Sequence, residues 1–313
     1  MENKRIVITG GAGFIGNNLA SFFLEKGYKV ICIDNLFFSN YQNINHLLKN
    51  KNFKFIKADV VSKKTFNKIK GRVDEVYALA SIASPKIYKL NKLETIKVNT
   101  IGVINTLKFA KKKKAKVLLA SSSEVYGTSK KEMSEDNFGN VNPIGSRSCY
   151  TETKRTSETI AQYFKEKGLD VRIIRIFNTY GPGMNLKDGR VFSDFIFNLI
   201  HETPFVINGD GKQIRSFCYI DDLINAIKII MNSEENNGVI NVGNVESISI
   251  KNLKELLEKK VGVKKLTIYK NIDSDDTLKR IPVIDKILDM GWKPSIDLME
   301  GVDKTLKFYG LIE

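Results

Sequence analysis

Apolar and polar positions along this chain fall into two kinds of block that alternate. Short, β-branched runs predict buried strands: Arg5-Ile6-Val7-Ile8, Lys29-Val30-Ile31-Cys32-Ile33, Phe53-Lys54-Phe55-Ile56-Lys57, Glu75-Val76-Tyr77-Ala78-Leu79-Ala80, Lys116-Val117-Leu118-Leu119-Ala120 and Val171-Arg172-Ile173-Ile174-Arg175-Ile176. Between them, apolar residues recur at helical spacing. Phe14, Ile15, Leu19, Phe22 and Phe23 do so up to Lys26-Gly27, where glycine closes the helix. Ile96, Val103, Leu107 and Ala110 mark one face of a long helix from Thr95 to Lys114, and a further helix runs from Tyr150 to about Lys167. Strands alternating with helices predict an α/β protein with a doubly wound parallel sheet of Rossmann type. Beyond the sixth strand the pattern breaks into short strands (Phe205-Val206-Ile207, Gly238-Val239-Ile240-Asn241), Gly-rich turns and two helices near the end. That change predicts a smaller C-terminal α/β domain. The expected division is 1–177 with a returning segment at about 216–245, against a lid made of 178–215 and 246–313.

Ligands of such sheets bind beyond the carboxyl ends of the strands. The first such end carries Thr9-Gly10-Gly11-Ala12-Gly13-Phe14-Ile15-Gly16. A strand, a glycine turn and a helix set unpaired N–H groups beside the positive end of a helix dipole, which seats a diphosphate. Gly10 allows the tight turn, Gly13 lets backbone approach the pyrophosphate, and Gly16 lets the helix lie close on the strand. The second strand ends in Asp34, a little short of the roughly 20 residues expected for the acid on the adenosine ribose. A carboxylate there accepts from the 2′-OH and repels a 2′-phosphate, so NAD is expected over NADP. The bland alternative is a Gly-rich turn with a capping Asp. Asp59, after the third strand, can reach the adenine edge or cap a helix through Thr65-Ile69.

Charge and composition change little in this picture. At 313 residues, 42% hydrophobic and 27% charged, the chain reads as an ordinary soluble globule with a large core. The net charge of +15 raises nucleic acid or anionic membrane as partners. The basic residues are spread along the chain, however, and the run Lys111-Lys112-Lys113-Lys114 falls where lysines complement a helix C-terminus. Neither nucleic acid nor membrane is therefore expected as a partner. Three cysteines far apart (Cys32, Cys149, Cys218), no leader segment and no long apolar run predict a cytoplasmic protein without disulfides, and no metal site is expected.

The chemistry concentrates where Tyr150-Thr151-Glu152-Thr153-Lys154 opens a helix. Positions i and i+4 share a face, so the phenol and the ammonium point the same way. A phenol near pKa 10 is a poor base at neutral pH. A nearby ammonium and a nicotinamide cation favour phenolate, which can take a hydroxyl proton while hydride leaves the same carbon. Ser122 can hydrogen-bond that oxygen.

With these residues the chain resembles the extended short-chain dehydrogenase/reductase family, in its branch acting on nucleotide sugars. The shared motifs are T-G-G-A-G-F-I-G, Asp34-Asn35, S-S-E-V-Y-G, Y-x-x-x-K, R-I-F-N-T-Y-G-P and Gly209-Asp210-Gly211-Lys212-Gln213-Ile214-Arg215-Ser216-Phe217. Within the family, Ala83-Ser84-Pro85-Lys86-Ile87-Tyr88, G-N-V-N-P-I-G-x-R-S-C-Y and G-D-G-K-Q-x-R-S-F look most like the UDP-glucuronate decarboxylases. The resemblance implies catalytic roles for Tyr150, Lys154, Ser122, Ser123, Glu124 and Arg215, with Glu124 as acid/base and Arg215 orienting a carboxylate or clamping the diphosphate. It implies cofactor contacts from Gly10, Gly13, Phe14, Ile15, Gly16, Asp34, Asn35, Asp59, Val60, Leu79, Ala80, Asn99, Lys154 and Thr179. Substrate contacts are implied for Ser84, Tyr88, Lys97, Asn178, Arg190 and Arg215, and a homodimer through the helices at Thr95–Lys114 and Tyr150–Lys167.

A 4,6-dehydratase of this family typically has Asp-Glu where this chain has Ser123-Glu124, and a 4-epimerase has neither acid. Those two activities are the alternatives. A non-catalytic NAD-binding regulator is the alternative from another class, against which the intact Tyr150 and Lys154 speak. Ala78 and Gly183 stand where the decarboxylases usually have His and Arg, which bears on the substrate.

Overall fold

The computed structural model describes residues 4–129, 131–271 and 277–313. Seven parallel strands form the central sheet: β1 (Arg5–Thr9), β2 (Lys29–Asp34), β3 (Phe53–Lys57), β4 (Glu75–Ala78), β5 (Lys116–Ser122), β6 (Val171–Ile176) and β7 (Val239–Val242). Their spatial order is β7-β6-β5-β4-β1-β2-β3. The chain winds outward from β1 to β3, then crosses back to lay β4 on the other side of β1. That reversal opens a crevice at the carboxyl ends of β1 and β4.

The strands read as continuous apolar runs because both faces of the sheet are covered. Ile6 and Ile8 point into one core with Leu19 and Phe23, and Val7 points into the other with Val76, Val117 and Leu107. Helix α1 (Phe14–Glu25) covers the first face. Helices α4 (Val103–Lys113) and α5 (Ser148–Glu166) cover the second.

Two expected elements differ in detail. The helix expected from Thr95 begins earlier, after α2 (Pro85–Leu90), as α3 (Lys92–Lys97). It continues through a widened π-turn at Val98–Gly102 into α4, and ends where Lys114 turns left-handed. Such π-turns are frequent near functional sites. The helix expected at Thr65–Ile69 is a 3₁₀ turn, Lys63–Lys68, which the Asp59 side chain does not cap. Its oxygens instead accept from Val61 N at 2.8 Å and Asn35 Nδ2 at 3.2 Å.

The segments after β6 supply the opposite wall. Strand Phe205–Asn208 pairs with Thr267–Lys270, and Ile214–Ser216 lies between Ser247–Ser249 and Lys279–Arg280. The 216–245 segment returns through helix Ile220–Asn232 to β7 at the sheet edge. Residues near the C-terminus pack back on that helix. Trp292 Nε1 donates to the Asp222 carbonyl at 3.1 Å, and the Asp222 carboxylate accepts from Ser295 and Ile296.

A Cβ on Gly16 would fall 2.2 Å from the Gly10 carbonyl oxygen, so α1 can approach β1 this closely only with glycine. Gly16→Ala should therefore lower stability by about 1–3 kcal/mol, read as a fall in the urea midpoint; an unchanged midpoint would mean that the helix moves without resistance.

Candidate active site

A cavity of about 730 Å³ runs between the sheet's carboxyl edge and the segments after β6. At one end the glycine turn folds as its spacing demands. Gly10, at φ +72, donates its N–H to the Ile33 carbonyl at 2.8 Å, and a Cβ there would meet Ala80 backbone at 2.9 Å. A Cβ on Gly13 would meet only Gly10 O at 3.3 Å, so its outer face is open to a ligand. No side chain caps α1, and its first turn holds no acid. The free N–H groups and the dipole at this terminus fit a pyrophosphate.

Asp34 sits at the tip of β2. Its carboxylate accepts from Ala12 N (3.1 Å), Leu36 N (2.8 Å) and Ser39 Oγ (2.9 Å). Three donors fix its direction and leave capacity for a ribose hydroxyl. Phe14, Ile15, Asn35, Asp59, Val60, Leu79 and Ala80 line the same end of the cleft, and Thr179 borders it further along. Asn99 stands elsewhere. It is buried in the π-turn behind the wall, accepting from Ser81 Oγ at 2.7 Å and donating to Thr153 Oγ1 at 2.9 Å. Its role is to fasten the π-turn to α5 and to the loop after β4.

At the centre, α5 presents Tyr150 and Lys154, both buried and both lining the cleft. Burial raises the Tyr150 phenol above its ordinary value. The hydrogen bond with Ser122 and the cation of Arg190 pull it down, Glu124 pushes it up and Arg280 pulls it down. The ammonium expected to do most of this work is engaged elsewhere. Lys154 Nζ donates to the Ala120 carbonyl at 2.7 Å and lies 5.8 Å from the Tyr150 ring centre. Burial lowers Lys154 from 10.5 to about 8, against an opposing pull from Glu158.

Glu124 follows the end of β5, beside the buried Ser123. The cations on it were not foreseen from sequence. Arg280 Nη1 reaches Glu124 Oε1 at 2.6 Å and Arg147 Nη2 reaches it at 2.8 Å. Arg215, expected beside Glu124, pairs in register with Arg280 on the neighbouring strand. Its Nη1 donates to the carbonyls of Ile214 (2.9 Å) and Leu278 (3.4 Å).

The remaining expected substrate residues divide. Lys97, Asn178 and Arg190 line the cleft. Asn178 Nδ2 donates to Ser216 O at 3.2 Å, and Arg190 Nε pairs with Asp188 at 3.2 Å. Ser84 also lines the cleft, where it caps α2 and donates to the Asp188 carbonyl. Tyr88 is fully buried and stacks parallel on Tyr150, ring centres 5.1 Å apart, so it supports the phenol from behind.

The two departures from the decarboxylase pattern also find their places. Ala78 packs in the core of the sheet, opposite Leu119. Gly183 takes φ +83, where a side chain would strain the turn.

Comparison with known proteins agrees with this geometry. Residues 6–243 match the NAD dependent epimerase/dehydratase family. A UDP-glucuronic acid decarboxylase 1 of Arabidopsis thaliana is 43% identical over 97% of this chain and 69% of its own. One of Xenopus tropicalis is 41% identical over 98% of this chain and 72% of its own. Among solved structures, UDP-glucuronic acid 4-epimerase from Bacillus cereus, in complex with UDP-glucuronic acid and NAD, superposes with a TM-score of 0.88. It is 27% identical, over 98% of this chain and 99% of its own. The chain belongs to the NAD-dependent epimerase/dehydratase family. NAD is its cofactor, and the open glycine turn and Asp34 fit that group. Among the described residues no helix is long and apolar enough to cross a membrane, and all three cysteines are buried and free.

Lys154 gives a pH signature. Its folded pKa lies below its unfolded value, so between about 8 and 10.5 the unfolded chain binds more protons and stability rises with pH. The penalty, roughly 3 kcal/mol, is present in full below that window. In denaturant titrations of cofactor-free protein, wild type should therefore gain on Lys154→Met as pH rises from 8 to 10; a pH-independent difference would contradict it.

Proposed function

We propose that this protein is a UDP-glucuronate decarboxylase that makes UDP-xylose and CO₂ with recycled NAD. The observation that carries the reading is the pair of guanidinium groups on Glu124, beside Tyr150. Two cations on one carboxylate gather positive charge where a carboxylated sugar would lie. Relatives of that activity, 41% and 43% identical, support the same reading.

NAD, seated by the glycine turn and Asp34, would supply the redox chemistry of the outer steps, hydride uptake from C4 and its return at the end. Tyr150 takes the C4 hydroxyl proton, and the Ser122 hydroxyl holds that oxygen in place. Lys154, anchored on Ala120, stands beside the phenol to hold the nicotinamide ribose. A ketone at C4 makes the C5 carboxylate that of a β-keto acid, so CO₂ can leave as the electron pair spreads into the carbonyl. Arg280 orients the departing carboxylate, a role expected of Arg215 from sequence and better suited to the cation on Glu124. Glu124, with Ser123, governs the proton delivered to C5. One proton is consumed overall and Tyr150 returns its own to the C4 oxygen. Arg215, Arg190, Asn178 and Lys97 line the cleft as contacts for the nucleotide diphosphate. A 4,6-dehydratase needs an acid for the C6 hydroxyl, and Ser123 cannot serve as one.

In this reading residues 1–177 with 216–245 carry the cofactor, and 178–215 with 246–313 close over the sugar nucleotide. We also infer a homodimer, because Leu93, Ile96 and Ile101 are exposed on α3 and the π-turn. The buried thiols suit a reducing cytoplasm.

Incubation with UDP-glucuronate and NAD⁺ should release UDP-xylose and CO₂. A 4-keto-6-deoxy product from a neutral hexose nucleotide would instead make the protein a dehydratase. Arg280→Gln and Glu124→Gln should each lower kcat about 10²-fold or more, with NAD still bound, whereas Arg215→Gln should chiefly raise KM. Unaltered turnover by Glu124→Gln would remove it from the mechanism. Sedimentation equilibrium should give twice the chain mass, and Ile101→Glu should return it to the monomer value.

A further inference from the structure

Tyr150 and Glu124 sit on separate elements, the first turn of α5 and the turn after β5, and Arg147 links them together with Tyr88. Arg147 lies just before α5, where its carbonyl accepts the N–H groups of Tyr150 (3.0 Å) and Thr151 (3.1 Å). Its buried guanidinium then reaches both Tyr88 and Glu124. Nε donates to the Tyr88 hydroxyl at 2.9 Å, and Nη2 donates to Glu124 Oε1 at 2.8 Å. Tyr88 in turn lies flat on the Tyr150 ring, at an interplanar angle of 4°. A continuous contact path therefore runs from the phenol ring through Tyr88 and Arg147 to the Glu124 carboxylate.

Neutralising Glu124 does not require Arg147, because Arg280 already contacts the same oxygen. Burying a second guanidinium adds a charge whose desolvation opposes folding. Its use appears when substrate arrives. A sugar carboxylate would compete for Arg280 and weaken its hold on Glu124.

We propose that Arg147 is a positioning residue: it holds Glu124 while Arg280 turns to the substrate, and through Tyr88 it keeps Glu124 in register with the Tyr150 ring. This inference rests on the decarboxylase reading above, which supplies the carboxylate. Oxidation at C4 and protonation at C5 occur on adjacent carbons of one sugar, and a frame shared by the two proton-handling groups keeps both steps in reach without the sugar moving. A misplacement of about 1 Å in such an arrangement can cost about a hundredfold in rate.

The test compares wild type with Arg147→Gln, Arg147→Lys and Tyr88→Phe. Steady-state constants, the pH profile of kcat and the share of turnovers that leave NADH (absorbance at 340 nm) with a free 4-keto-pentose nucleotide are measured. Arg147→Gln should lower kcat about 10²-fold, with KM changed less than about threefold, and should release the 4-keto product. Tyr88→Phe keeps the stacked ring but removes the Arg147 anchor, so it should shift kcat the same way by about tenfold, with an altered pH profile. Arg147→Lys, which can pair with Glu124 but lacks the fork for both contacts, should fall between. Wild-type kcat and pH profile in Arg147→Gln would overturn the proposal. So would a loss that only tracks the folded fraction, with no escaped intermediate. If Arg147→Gln does not fold, Tyr88→Phe decides. Should wild type prefer a different nucleotide sugar, the decarboxylase reading fails, while the kcat-against-KM split on that sugar still judges Arg147.

Discussion

Every position in the cleft is measured from one close approach, the Gly10 carbonyl against Gly16. Helix α1 rests on β1 with no room for a methyl group between them. The same turn is stitched to its neighbours: Gly10 N to Ile33 O, Ala12 N to the Asp34 carboxylate, and Leu79 N to Thr9 O. Three parallel strand ends and a helix N-terminus are thereby held as one rigid unit, and such rigidity is what an anion seat and a hydride geometry require. The opposite wall is built otherwise, from strands of two to four residues whose positions depend on pairing with segments distant in sequence.

That contrast explains what could be read from the sequence. Buried parallel strands write themselves as β-branched runs, so β1 to β6 were located within about two residues. The glycine spacing and the Tyr150/Lys154 interval are local geometry, and local geometry survives translation into three dimensions. Arg280 had no such signature. Its strand, Lys279–Arg280, has two residues and shows no periodicity, and it reaches Glu124 only through parallel pairing with Ile214–Ser216. Arg147 looked like one more polar residue in a loop, because its partners lie 59 and 23 positions away. Asn99 was expected at the cofactor, but the π-turn rotates it inward to brace α5.

The phenol shows how burial reorders a simple electrostatic argument. An ammonium one turn away looked sufficient to favour phenolate, but desolvation is the larger effect for both groups. Lys154 directs its proton to a strand carbonyl, and Ser122 and Arg190, with Arg280 behind them, favour the phenolate instead. Tyr150 is therefore tuned by the cleft as a whole rather than by a pair of residues on one helix.

Two arginines share one glutamate beside the phenol in this cleft. Under the proposed reaction the substrate enters with a carboxylate and the product leaves without one. Under that reaction the bound sugar nucleotide gives up its contact with Arg280 in the same turnover that completes it, while its diphosphate keeps the contacts proposed for it. Fresh ligand would then bring an ionic contact to Arg280 that spent ligand lacks, and the site would favour unloading what it has finished.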